Sequence, residues 1–184
     1  MQRSLHPVLV VGVGRCGTST VAGILHNKLD VCMGENFANP RDSNPDGYWE
    51  DPEFWALSYG LLRSKLTYYA WHVAVQNTVK ARIRRQRPWG FKDTRLCYFL
   101  GAILPFLPER PRIIRCNRNR ELVIASLMKW WKHSRKDAES FYEGRTIALD
   151  RTLVEKDHLV ISFGKERKTD DDIIKAITSK WSDI

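Results

Sequence analysis

The 184-residue sequence has no apolar run long enough to cross a bilayer. Val8 to Gly14 is too short and too rich in glycine for a signal peptide, and the later run from Tyr98 to Pro108 is interrupted by Pro105. A soluble chain of the cytoplasm, with no membrane partner, is the expectation. Cysteine is scarce: Cys16, Cys32, Cys97 and Cys116 stand singly, with no C-x-x-C pair and no metal-ligand spacing. That excludes a disulfide scaffold and makes reduced thiols and no metal the expectation. Repeats and low-complexity linkers are missing, and the length fits one domain over residues 1–184. Acidic residues are the minority, since 30 Lys+Arg against 21 Asp+Glu leave a formal charge of +9. An anionic partner is favoured.

Five short apolar segments have the character of buried strands: Val8 to Val13, Asp30 to Met33, Trp89 to Lys92, Arg112 to Cys116 and Leu159 to Phe163. Helical spacing separates them. Thr18 to Lys28 opens directly from a glycine turn, and Asp51-Pro52 is a cap and first-turn proline before Phe54, Leu57, Leu61 and Leu62. Further helices are predicted over Tyr69 to Arg85, around Leu96 to Leu104, from Arg120 to about Lys132, and after Thr169 with its three aspartates. Strands alternating with helices imply an α/β three-layer sandwich: a central parallel sheet of about five strands with helices on both faces. The long polar stretch Gly34 to Gly47 is predicted to be a functional loop, a lid over the site.

The strand, glycine turn and helix start from Val8 to Thr20 direct free backbone N–H groups and a positive helix end at one spot, which suits a phosphate. Three readings compete. As a Walker A loop, Gly12 and Gly17 have the right separation, but Thr18 occupies the lysine position. ATP or GTP hydrolysis is therefore disfavoured. As a dinucleotide fingerprint, Gly12-Val-Gly14-Arg-Cys-Gly17 satisfies G-x-G-x-x-G, and Glu35 follows the second predicted strand where a ribose-binding acid belongs. An NAD(P)-binding Rossmann-type oxidoreductase is thus the runner-up.

The third reading uses the whole turn. Arg15-Cys16-Gly17-Thr18-Ser19 after a hydrophobic strand resembles the 5′-phosphosulfate loop of sulfotransferases that use 3′-phosphoadenosine 5′-phosphosulfate (PAPS). A second motif of that family, an arginine ending a strand with a serine eight residues on, is matched by Arg118 and Ser126. The segments Lys92-Asp93-Thr94-Arg95 and Asn44 to Asp51 are similar to elements of its bacterial-type members. The resemblance covers about residues 8 to 182 and implies a P-loop-like fold, PAPS as donor, adenosine 3′,5′-bisphosphate as product, and no metal. It implies that Arg15, Cys16, Gly17, Thr18, Ser19 and Thr20 hold the phosphosulfate, and that Arg118 and Ser126 meet the 3′-phosphate. The sequence departs from the family at Arg120, where proline is common, at Gly164-Lys165, where an acidic pair is common, and in lacking a visible Lys-Gly loop.

Sulfuryl transfer needs a cation at the leaving oxygen and a base for the acceptor proton. Lys92 and Arg15 are the candidate cations. For the base, Glu35 ranks first, Glu50 second and Asp93 third. A non-catalytic nucleotide- or polyanion-binding module is a further alternative, since Lys80, Arg82, Arg84, Arg85 and Arg87 form a basic run. No aromatic stacking pattern accompanies that run, so a specific nucleic acid is not expected. The acceptor is expected to be a small molecule or a glycan.

Overall fold

The computed structural model describes residues 6–39, 41, 42, 44, 47–108, 110–164 and 168–184. Its sheet has four parallel strands, β1 (Val8–Val11), β2 (Gly90–Lys92), β3 (Arg112–Arg118) and β4 (His158–Phe163), in the order β2-β1-β3-β4. Strand alternation sends successive side chains to opposite faces. Val8, Val10, Ile114, Cys116, Ile161 and Phe163 enter one core, while Leu9, Val11, Phe91 and Ile113 enter the other. Parallel strands need crossovers, and these place helices on both faces.

The expected fifth strand is not formed. Asp30 to Met33 contributes a single parallel bridge, Cys32 to Trp89, on the outer side of β2. Local geometry explains the truncation. Asp30 enters through a left-handed turn (φ 55°), and Gly34 leaves with φ 127° so close to Asp51 that a Cβ there would lie 2.8 Å from the carboxylate. Only three residues remain between these turns, and the chain leaves the edge of the sheet after one bridge.

Helix α1 (Thr18–Lys28) starts at the glycine turn and buries Val21, Ile24 and Leu25, each worth roughly 1.5–3 kcal/mol. It packs on the first core with α5 (Arg120–Trp131) and α7 (Asp170–Lys180), whose capping box joins Thr169 to Asp172. The other core is covered by α2 (Pro52–Leu62), α3 (Tyr68–Arg84), α4 (Leu96–Ile103) and the last turns of α6 (Arg135–Leu153). Asp51 caps α2 by accepting from the Glu53 amide at 2.9 Å, and it binds Arg82 of α3 at 2.7 Å. Burial pushes its carboxyl up, against the opposing pull of Arg82 and the amides. Apolar periodicity did not mark α6, although at 19 residues it is longer than any other described helix. Among the described residues no helix is long and apolar enough to cross a membrane.

Candidate functional site

The loop from Gly12 to Gly17 lies at the carboxyl end of β1, where a parallel sheet opens its crevice. Gly17 adopts φ 92°, and a Cβ on it would meet the Phe163 ring at 2.5 Å, so the turn demands glycine twice over. Arg15 itself is left-handed, φ 73°, a conformation that costs a non-glycine residue roughly 1–3 kcal/mol. That backbone turn accompanies a specific placement of its side chain. Arg15 Nε donates to Ser126 Oγ of α5 at 2.9 Å, and Arg118 Nη1 donates to the Arg15 carbonyl at 3.1 Å. Among the described residues neither arginine has a carboxylate partner. Burial, and secondarily the Arg118 charge, lower the Arg15 pKa while the nearby Tyr48 opposes them.

The two matched motifs are therefore brought together, though in a different pairing from the one expected. Ser126 faces Arg15, and Arg118 grips the loop backbone. Cys16 is buried beneath Gly12, and burial pushes its thiol up to about 12. Its side chain is part of the core, which leaves only its amide for a ligand. Thr18 is nearly buried on the cleft side. Ser19 Oγ donates to the Tyr48 carbonyl at 3.2 Å and accepts from Asn44 Nδ2 at 3.1 Å, so the end of the polar loop is fastened to α1. Thr20 points elsewhere, into a separate cavity of about 230 Å³ between α1 and Asp170. Phe37 packs on His26 and Trp49, so that part of the Gly34 to Gly47 stretch is anchored; Pro40, Ser43, Pro45 and Asp46 lie outside the described residues.

Lys92 ends β2, 2% exposed; its Nζ donates to the Tyr48 carbonyl at 2.6 Å and pairs with Glu50. Asp93 is fully buried, and both its oxygens accept from Arg95 Nε, at 2.8 and 3.1 Å. This commits its carboxylate to orienting Arg95, which lies over the Trp55 ring at 5.2 Å. Glu35 is not brought to the cleft. It is exposed and paired with Arg85 and Arg87 at 2.7 and 2.8 Å, beyond the outer edge of β2. The basic run is likewise divided, because Arg82 turns inward to Asp51 and Glu53.

Arg15, Lys92, Glu50, Arg95, Trp55 and Arg145 line one cleft of about 290 Å³, in the size range of small-ligand pockets. Sequence reasoning missed Arg145. Its helix begins at Ser134, whose hydroxyl accepts from the Asp137 amide, and that S-x-x-D cap was the available signal.

No family model matches the sequence, and no curated protein does. Solved structures do match along nearly the whole chain. A sugar kinase from Janibacter sp. superposes with TM-score 0.58 at 18% identity, covering 98% of this chain and 96% of its own. The fold is P-loop kinase-like. Shikimate kinase from Bacteroides thetaiotaomicron gives 0.56 at 8% identity over 97% and 99%, and sulfotransferase STF1 from Mycobacterium tuberculosis gives 0.58 at 14% over 97% and 66%. At these identities the likeness concerns the fold alone. Within it, strand order weighs against the dinucleotide reading. A dinucleotide fingerprint places the second strand beside the first, whereas here the Cys32 segment lies outside β2. Glu35 is thus separated from the glycine loop by the width of β2 and does not reach a ribose held there.

Proposed function

We propose that this chain binds PAPS and transfers its sulfuryl group to a hydroxyl or amine of a small-molecule or glycan acceptor. The observation that carries this reading is the Arg15–Ser126 pair with Arg118 hydrogen-bonded to the same loop, next to a helix start where Thr18 stands in the lysine position of a Walker A loop. When bound, PAPS supplies an activated sulfuryl group on a phosphate that leaves as adenosine 3′,5′-bisphosphate. Arg15 and the loop amides hold the donor's 5′ end and offset its charge in a partly desolvated setting. Arg118 and Ser126, one on β3 and one on α5, take the 3′-phosphate. Lys92, held by the Tyr48 carbonyl, presents its charge at the leaving oxygen. Glu50 accepts the acceptor proton, since it is the acid among the described residues lining the cleft. The cationic side chains supply what a metal would otherwise contribute.

The experiment is transfer of label. Protein incubated with ³⁵S-PAPS and an acceptor panel should pass label to an acceptor and release adenosine 3′,5′-bisphosphate. A parallel incubation with γ-labelled ATP and magnesium should pass none. Transfer from ATP alone would replace this reading with phosphoryl transfer.

A further inference from the structure

Four cations line the cleft, and their partners differ in a telling way. Lys92 has a carboxylate partner in Glu50, and Arg95 has one in Asp93. Arg15 serves the donor in the reading above. Arg145 remains. It is 9% exposed, and burial lowers its pKa even against the nearby Cys97, Tyr98 and Asp93. Its Nη1 donates to the Thr94 carbonyl at 2.7 Å, and its guanidinium lies over the Phe141 ring at 4.0 Å and the Tyr98 ring at 5.3 Å. Its Nε is buried with no hydrogen-bond partner, and no carboxylate pairs with it among the described residues. An unpaired buried cation is costly for folding, and so is a buried donor left unsatisfied. Both costs fall on one side chain that faces a ligand-sized cleft.

Neighbouring groups indicate which side of the cleft this is. Thr94 and Arg95 follow β2, and Trp55, stacked on Tyr59 at 5.0 Å with Arg95 over its ring, lines the cleft beside them. The glycine loop and Ser126 lie on the β1 and β3 side. We infer that Arg145 is an anion subsite on the acceptor side of the cleft, and that the acceptor therefore carries a carboxylate or sulfate group in addition to the hydroxyl or amine that reacts. The inference rests on the sulfuryl-transfer reading for the word acceptor; the anion subsite itself does not. Arg145 fixes the anionic group by a charge-assisted hydrogen bond.

Equilibrium titration tests it with two matched pairs, 4-hydroxybenzoate against phenol and glucuronate against glucose, with and without saturating adenosine 3′,5′-bisphosphate. In at least one pair the acid should bind tenfold or more tightly than its neutral counterpart. Arg145→Met should abolish that preference, change nucleotide affinity by less than twofold, and leave the melting temperature unchanged or raised, because an unpaired buried charge is replaced by an apolar chain. Arg145→Lys, which keeps the charge without the planar fork, should fold and show a reduced preference. Equal binding within both pairs overturns the inference. So does an Arg145→Met protein that melts lower yet keeps the preference, which marks a structural arginine, and so does a loss of nucleotide affinity as large as the loss for the acid. If the nucleotide does not bind while the acid preference persists and disappears in Arg145→Met, the donor reading falls and the subsite stands.

Discussion

Arg15 and Ser126, 111 positions apart, are joined by a hydrogen bond of 2.9 Å from guanidinium Nε to hydroxyl. The bond ties the glycine loop to α5, and the arginine lines the cleft that Lys92 and Glu50 also line. One element supplies the charge, the other fixes its direction.

The pair predicts non-additive losses. Arg15→Ala should weaken adenosine 3′,5′-bisphosphate roughly 10- to 100-fold, the range expected for a charge-assisted contact of about 1.5–3 kcal/mol. Ser126→Ala should cost several-fold, about 0.5–1.5 kcal/mol. The double variant should lose less than the sum of the two single losses, because residues in one network couple. Isothermal titration of the four proteins checks this; fully additive losses would mean that the serine does not act through the arginine.

Gly17→Ala should lower unfolding free energy by about 2–4 kcal/mol in urea, from a strained left-handed alanine and overpacking against Phe163. Phe163→Leu in the same chain should restore part of the overpacking share and none of the backbone share.

The two glutamates separate cleanly. Glu50→Gln should reduce turnover by roughly 10²-fold or more with donor affinity nearly unchanged, the effect of losing a general base. Glu35→Gln should keep full turnover, since it breaks only exposed ion pairs with Arg85 and Arg87. The opposite result would return the base to Glu35.

Much of the fold was written locally. Thr18 to Lys28 forms a helix over those very residues because its start is dictated by the glycine turn, and Asp51 caps α2 because proline and a short acid leave few alternatives. The outer strand was not legible, since Asp30 to Met33 has strand-like residues but is cut short by tertiary contact between Gly34 and Asp51. Helix α6 escaped for a different reason. Its buried stripe runs Ala138, Arg145, Leu149 and Leu153, so a charged residue interrupts the apolar period that would reveal it. Glu35 misled because residue order along the chain does not reveal that its segment sits outside β2 instead of beside β1.

His26 provides a pH dependence. Its Nδ1 accepts the Met33 amide at 3.3 Å, which requires the neutral ring, and burial, with Arg87 adding to it, lowers its pKa. Because the native state then binds the proton less readily than the unfolded chain, its contribution is fully present above the ordinary value of about 6.5 and is lost as pH falls below it. Urea unfolding between pH 7.5 and 5 should show that decline, and His26→Asn should flatten this part of the profile.

If the arginine-bearing loop holds a 3′-phosphorylated nucleotide, a thermal-shift comparison of ligands will distinguish that nucleotide from its relatives. At a hundred times its dissociation constant, adenosine 3′,5′-bisphosphate should stabilise the protein by about 2.7 kcal/mol, a rise of several degrees for a chain of this size. Adenosine 5′-monophosphate should do much less, and Arg118→Ala should bring the two nucleotides level. ATP with magnesium, and NAD, should leave the melting temperature unchanged. Stabilisation by ATP or NAD, with no response to adenosine 3′,5′-bisphosphate, would mean that the loop holds a different nucleotide and that the chain is not a PAPS-dependent sulfotransferase.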